Sequence, residues 1–158
     1  MHKEVAYFIK TLKGMGLTVA LAESVTCGLA THKLSTCPGT SEVLTGSVVC
    51  YTPEVKKSVL KVSEKCISMY TCESQEMSDA LVKGLKKVIL ADIYASVTGL
   101  ASAGGTETKY KPVGTVFFSV YYKKKLYQER KVFKGTPLEI RTKSCMALYD
   151  FILKIINE

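Results

Sequence analysis

No tryptophan occurs in these 158 residues, and histidine appears only at His2 and His32. With so little histidine, a His-based metal centre or a serine–histidine relay has few residues to draw on. The six cysteines, at 27, 37, 50, 66, 72 and 145, form no paired short spacings. They carry neither a zinc signature nor a disulfide framework, and reduced thiols in a cytoplasmic setting are the expectation. No apolar run approaches the length of a membrane span. The amino-terminal stretch MHKEVAYFIKTLKG has charges scattered through it and lacks the apolar core of a signal peptide. Internal repeats and low-complexity tracts are also missing.

What remains is ordinary for a globular chain: 47% hydrophobic and 23% charged residues, enough for one domain over 1–158 with its own core. The net charge of +8 comes from lysines spread over several elements, at 56, 57, 61 and 65, at 83, 86 and 87, and at 123–125. Such a field attracts anionic ligands, nucleotides included. A nucleic-acid-associated protein is the least favoured reading, because no recognition motif accompanies the charge.

Along the chain, Val5, Phe8, Ile9 and Leu12 recur at helical spacing, and Gly14 and Gly16 stop that helix. Leu17–Ala22 is short and apolar enough for a buried strand. It breaks into the small polar run Glu23-Ser24-Val25-Thr26-Cys27-Gly28 before a helical pattern resumes at Leu29. A strand turning into a helix places that turn at the carboxyl edge of a sheet, with the helix's free N–H groups beside it. Ser24 there is either a helix cap or a nucleophile flanked by oxyanion donors; from this stretch alone the cap is the expected role.

Residues 43–51 are rich in β-branched side chains and read as a second strand, and Thr52-Pro53-Glu54 is a helix start. A short helix giving out near Val62 and a longer one from about Ser74, with Met77, Leu81, Leu85, Val88 and Ile89 on one face, come next. Ile93–Val97 is a third strand ending at Thr98-Gly99, followed by a small-residue loop over 101–108 with Gly104-Gly105. Residues 113–122 and 126–133 form a hairpin around the lysine triplet, its second strand polar enough to be an edge. A helix from Leu138 to Ile156 closes the chain. The alternation predicts a three-layer α/β/α domain with a mixed sheet and a late antiparallel hairpin. In such a sheet, ligands bind outside the strand ends, here at Ser24, Tyr51 and Thr98.

Five stretches in order carry a resemblance: residues 22–28 (AESVTCG), 38–41 (PGTS), 46–51 (GSVVCY) with Glu54 and Lys56, 97–101 (VTGLA) with Gly104-Gly105-Thr106, and 111–116 (KPVGTV). Together they resemble the CinA carboxy-terminal domain family, the nicotinamide-nucleotide amidases, from about Val5 to Ile156. The resemblance implies hydrolysis of the carboxamide of nicotinamide mononucleotide to nicotinic acid mononucleotide and ammonia. By the same carry-over Ser24 is the nucleophile, Lys56 its general base, and Tyr51 a hydroxyl that positions or relays the proton. Lysine serves as a base only where its ammonium is destabilised. Glu23, Thr26, Cys27, Gly28, Thr98, Gly99, Gly104, Gly105 and Lys111 are the expected substrate contacts. The Gly104-Gly105 loop and the Thr98-Gly99 strand end suit close backbone approach to ribose or phosphate, and Lys111 adds charge.

No cofactor and no metal are expected. The expected partner is a small-molecule nucleotide, with the chain as a homo-oligomer, without membrane or nucleic acid. The chain departs from the family in having Cys27-Gly28 where two glycines are usual, and Ser102-Ala103 where Gly-Pro is usual. Both departures are expected to narrow the pocket or alter its substrate. Cys27 is also a rival nucleophile three residues from Ser24, with core packing as its alternative role. The competing reading is a catalytically idle or retuned family member that binds a nucleotide and regulates.

Overall fold

The computed structural model describes residues 2–158. Its five-stranded mixed sheet is built from β1 (Val19–Glu23), β2 (Leu44–Val49), β3 (Ile93–Gly99), β4 (Thr115–Tyr122) and β5 (Lys125–Val132), in the order β2-β1-β3-β4-β5. The first three run parallel, and β4 and β5 complete the sheet as antiparallel strands. Every residue of β1 is buried, as a central parallel strand with helices on both faces requires. The edge strand β5 instead alternates exposed and half-covered positions and carries Gln128, Glu129, Arg130 and Lys131. Its hairpin turns at Lys123 and Lys124, both in the left-handed region at φ 45° and 63°.

Alternation along the strands sorts side chains into two cores. Val19, Leu21, Ile93, Ala95, Val97, Phe118 and Val120 face α1 (His2–Gly14), α2 (Leu29–Ser35) and α6 (Pro137–Ile156). Ala20, Ala22 and Tyr94 face the other layer, made by α3 (Pro53–Ser58), α4 (Glu64–Tyr70) and α5 (Gln75–Leu85). This is the three-layer arrangement expected from the sequence. Val5, Phe8, Ile9 and Leu12 are all buried, as their spacing predicts, and so are Cys145, Leu148, Ile152 and Ile155 on α6. Thr52 caps α3 by accepting from the Val55 N–H, with Pro53 at the first helical position.

Three expectations need correction. Helix α4 has no counterpart in the reading above; Ser63 caps it, but none of its residues is fully buried, so its apolar periodicity is faint. Helix α5 ends at Leu85, and Val88 is half exposed rather than on the buried face. Ser24 is not a helix cap. Helix α2 begins only at Leu29, its N-cap position is Gly28 with φ 89°, and Glu23 supplies the capping carboxylate instead.

Among the described residues, no helix is long and apolar enough to cross a membrane, and no three His, Cys, Asp or Glu side chains gather as a metal would need.

Candidate functional site

The parallel strands β2, β1 and β3 deliver their carboxyl ends to one edge of the sheet. Here β1 runs directly into Ser24, whose N–H donates to the Val97 carbonyl of β3 at 3.0 Å. The Cys27 N–H then returns to the Ser24 carbonyl at 3.1 Å, closing a tight turn. The N–H groups of Val25 and Thr26 within that turn have no hydrogen-bond partner among the described residues. They, rather than the start of α2, are the free donors nearest in sequence to the serine. The first amides of α2 are occupied, because Glu23 Oε2 accepts from the Ala30 N–H at 3.0 Å and Oε1 from the Thr31 N–H at 2.8 Å.

Glu23 is fully buried and also accepts from the hydroxyls of Thr26, Thr31 and Ser47. A buried carboxylate needs such a set of donors. Its role here is to hold α2 against the end of β1, and it does not line the pocket described below. Thr26 is buried with it.

Lys56 projects from α3 to the underside of Ser24. Its side chain is wholly buried, and Nζ makes three hydrogen bonds: to Ser24 Oγ at 3.0 Å, to the Cys50 carbonyl at 2.6 Å and to the Tyr51 carbonyl at 3.1 Å. Three acceptors match the three donors of an ammonium, which leaves no buried donor of this group unpaired. The segment after β2 is therefore the platform for the amine. Cys50 lies beside it, and burial pushes its thiol up to about 11 although the Lys56 charge pulls the other way. The exposed carboxylate of Glu54 is held low by its own backbone and the Thr52 hydroxyl.

Above this pair opens a pocket of about 250 Å³. Ser24, Val25, Tyr51, Gly99, Gly104 and Gly105 line it. Tyr51 stands at the rim, well exposed, and its hydroxyl makes no hydrogen bond to Ser24 or Lys56. Of the remaining expected contacts, Thr98 is buried with its hydroxyl donating to the Cys72 carbonyl at 2.7 Å. Cys27 and Gly28 form the back of the turn, outside the lining. The narrowing of the pocket expected from Cys27 is therefore not seen. Cys27 is exposed, at φ 51°, a left-handed conformation that explains why glycine suits the position. Ser102 and Ala103, the other departure, do line the pocket. Lys111 is turned away: its Nζ donates to the Thr71 hydroxyl at 3.2 Å, the Glu73 carbonyl at 3.0 Å and the Thr106 hydroxyl at 2.8 Å.

Two charged residues of the lining escaped sequence reasoning, Glu73 and Arg141. Arg141 lies in the second turn of α6 and donates through Nε to the Val25 carbonyl at 3.1 Å, 116 positions away in sequence. The rest of its guanidinium puts a permanent positive charge into the pocket. Glu73 precedes the cap of α5 and accepts from the Thr106 hydroxyl at 2.6 Å. A lone arginine in an amphipathic helix and a glutamate before a helix start carry no local signal of a site.

Known proteins bear on this geometry. The family model described as the CinA C-terminal domain matches residues 2–156. A CinA-like protein of Thermotoga neapolitana is 37% identical over 151 residues, which are 95% of this chain and 36% of that protein. A CinA-like protein of Fusobacterium nucleatum is 38% identical over 143 residues, 90% of this chain and 34% of the relative. The chain thus spans about a third of the length of these curated relatives. The crystal structure of the competence damage-inducible protein A (ComA) from Klebsiella pneumoniae superposes with a TM-score of 0.94 over 99% of this chain and 97% of that one. At 24% identity, that likeness concerns the fold.

Proposed function

The chain belongs to the CinA C-terminal domain family, and from that premise we propose that it is an amidohydrolase converting nicotinamide mononucleotide to nicotinic acid mononucleotide and ammonia. One observation carries the reading: a fully buried lysine amine 3.0 Å from a serine hydroxyl that opens into a pocket. A serine hydroxyl needs a partner to remove its proton, and Lys56 is the titratable group that touches it.

In the reactive form Lys56 is the neutral amine, and the 3.0 Å contact to Ser24 runs in the opposite sense, with Oγ–H as donor. Lys56 takes that proton as Oγ attacks the carboxamide carbon. The negative charge that develops on the carbonyl oxygen falls to the unpaired N–H groups of Val25 and Thr26. The tetrahedral adduct collapses with cleavage of its C–N bond, and Lys56 returns the proton to the departing nitrogen, so ammonia leaves. A water then gives its proton to Lys56 and attacks the acyl-serine. Collapse releases the carboxylate product and restores the Ser24 hydroxyl. The Cys50 and Tyr51 carbonyls hold the amine in one place through both half-reactions. The Tyr51 ring at the rim positions the carboxamide, and Arg141 provides the field that draws an anionic nucleotide into the pocket.

Ammonia release from nicotinamide mononucleotide by the purified protein tests this reading, with Ser24→Ala beside it. Release by the wild type and its loss in the variant is the expected result. No release at high enzyme concentration would return the chain to a nucleotide-binding member without catalysis.

A further inference from the structure

Two of the glycines that line the pocket, Gly104 and Gly105, already hold an anion of the protein's own. The Gly104 N–H donates to Glu107 Oε1 and the Gly105 N–H to Glu107 Oε2, each at 2.8 Å. Consecutive amides on the two oxygens of one carboxylate are the geometry by which a backbone nest binds phosphate or carboxylate. Gly104 has φ +92°, which favours glycine, while a Cβ at Gly105 would lie 2.9 Å from Leu100 Cδ2, the end of a side chain that can shift. These amides hold the Glu107 carboxyl below the usual carboxylate range, although its side chain is exposed to solvent.

The loop does not rely on Glu107 for its position. Lys111 joins Thr106 of the loop to the segment before α5, donating to the Thr106 hydroxyl, the Thr71 hydroxyl and the Glu73 carbonyl, and the Thr106 hydroxyl itself donates to the Glu73 carboxylate. Thr108 and Lys111 further exchange two backbone hydrogen bonds. An exposed carboxylate on a loop anchored elsewhere is free to leave while the amides stay where they are.

We propose that Glu107 is a built-in competitor for the Gly104–Gly105 amides, the contact expected from the family resemblance for ribose or phosphate, and that it vacates them when a phosphate monoester arrives. The proposal rests on the nucleotide reading of the pocket only for the identity of the anion. Two anions cannot share two N–H groups, so the apparent affinity falls by the fraction of molecules in which Glu107 is seated. A dianionic phosphate displaces the side chain better than a monoanionic carboxylate of the same size, which biases the pocket toward phosphorylated ligands.

The test needs no catalysis. Inorganic phosphate is titrated into the full chain while backbone amide chemical shifts are followed in wild type, Glu107→Gln, Glu107→Ala and Glu54→Gln. Glu54→Gln removes one exposed carboxylate elsewhere on the same side of the sheet edge and controls for net charge. Both Glu107 variants should show saturable shifts centred on Gly104 and Gly105. Their midpoint should be at least about tenfold lower than in wild type, the factor for a nest left open about a tenth of the time. Glu54→Gln should stay within about twofold of wild type, the change expected of one screened charge outside the nest. Weaker or unchanged phosphate binding in the Glu107 variants would make Glu107 a strap that builds the loop and would overturn the proposal. So would shifts centred on Arg141 with Gly104 and Gly105 unmoved, or equal tightening in Glu54→Gln. Because no turnover is measured, failure here and failure of the amidase reading are separate results.

Discussion

Glu23→Gln is the substitution that most sharply tests how the Ser24 turn is held. The change keeps the shape of the side chain and replaces one acceptor oxygen by an NH2 donor. At the place of Oε2 that nitrogen would face the Thr26 hydroxyl and the Ala30 N–H; at the place of Oε1 it would face the Thr31 N–H and the Thr31 and Ser47 hydroxyls. A hydroxyl can rotate to accept, but an N–H cannot. Whichever way the amide turns, one amide of the first turn of α2 loses its acceptor in the interior. An unsatisfied buried donor costs about 1–3 kcal/mol, and the surviving bonds lose charge assistance worth about 1 kcal/mol each. Relief from burying a charge offsets part of this, leaving a net loss of about 2–3 kcal/mol. For a chain of this length that is a fall in Tm of roughly 5–10 °C. Urea unfolding at constant m-value, with thermal melts beside it, reads the change directly. A loss below about 0.5 kcal/mol, within the range of an ordinary surface substitution, or any gain would refute the reasoning.

Other outcomes follow from the same geometry. Lys56→Arg should abolish ammonia release, since a guanidinium cannot take up the Ser24 proton; turnover within a few-fold of wild type would remove Lys56 from the mechanism. Cys27→Gly should keep or raise turnover and change stability by less than about 1 kcal/mol, because the position is left-handed and outside the pocket lining; a dead variant, by the same assay, would reinstate the thiol as a candidate. Native alkylation at pH 8, mapped by mass spectrometry, should modify the exposed Cys27 first. Burial pushes Cys50 up to about 11 and Cys145 to about 12, so below those values both stay thiols and should react only after unfolding. Gly84→Ala should destabilise by about 3 kcal/mol in a urea melt, because its Cβ would fall 2.0 Å from the Leu60 carbonyl oxygen.

Where local chemistry decides an element, it was legible in the chain. The one-sided pattern of Val5, Phe8, Ile9 and Leu12, the Thr52-Pro53 start and the polar edge strand β5 each express a preference that the tertiary structure leaves in force. Helix α4 was not legible, since a two-turn helix without a fully buried residue has almost no period to detect. The site divides in the same way. Ser24 announces itself by its place after an apolar strand, but nothing local marks Lys56, beside Lys57, as buried; only the family resemblance singled it out. Glu23 looked like a pocket residue because it stands in a small polar run. Its burial depends on α2 doubling back over the end of β1, which is a tertiary fact. Arg141 reaches the turn from the last helix through a contact that no spacing rule could anticipate.

The central claim is that Ser24 forms the covalent intermediate, and one measurement addresses it most directly. The enzyme is mixed with nicotinamide mononucleotide, quenched in acid during turnover, and digested with trypsin. Ser24 and Cys27 lie in one peptide between Lys13 and Lys33, so fragmentation is needed to assign an adduct to one side chain. The expected result is a nicotinoyl-type acyl group on Ser24 in the wild type and none in Ser24→Ala. An acyl group on Cys27, or one that persists at full level in Ser24→Ala, would contradict the account.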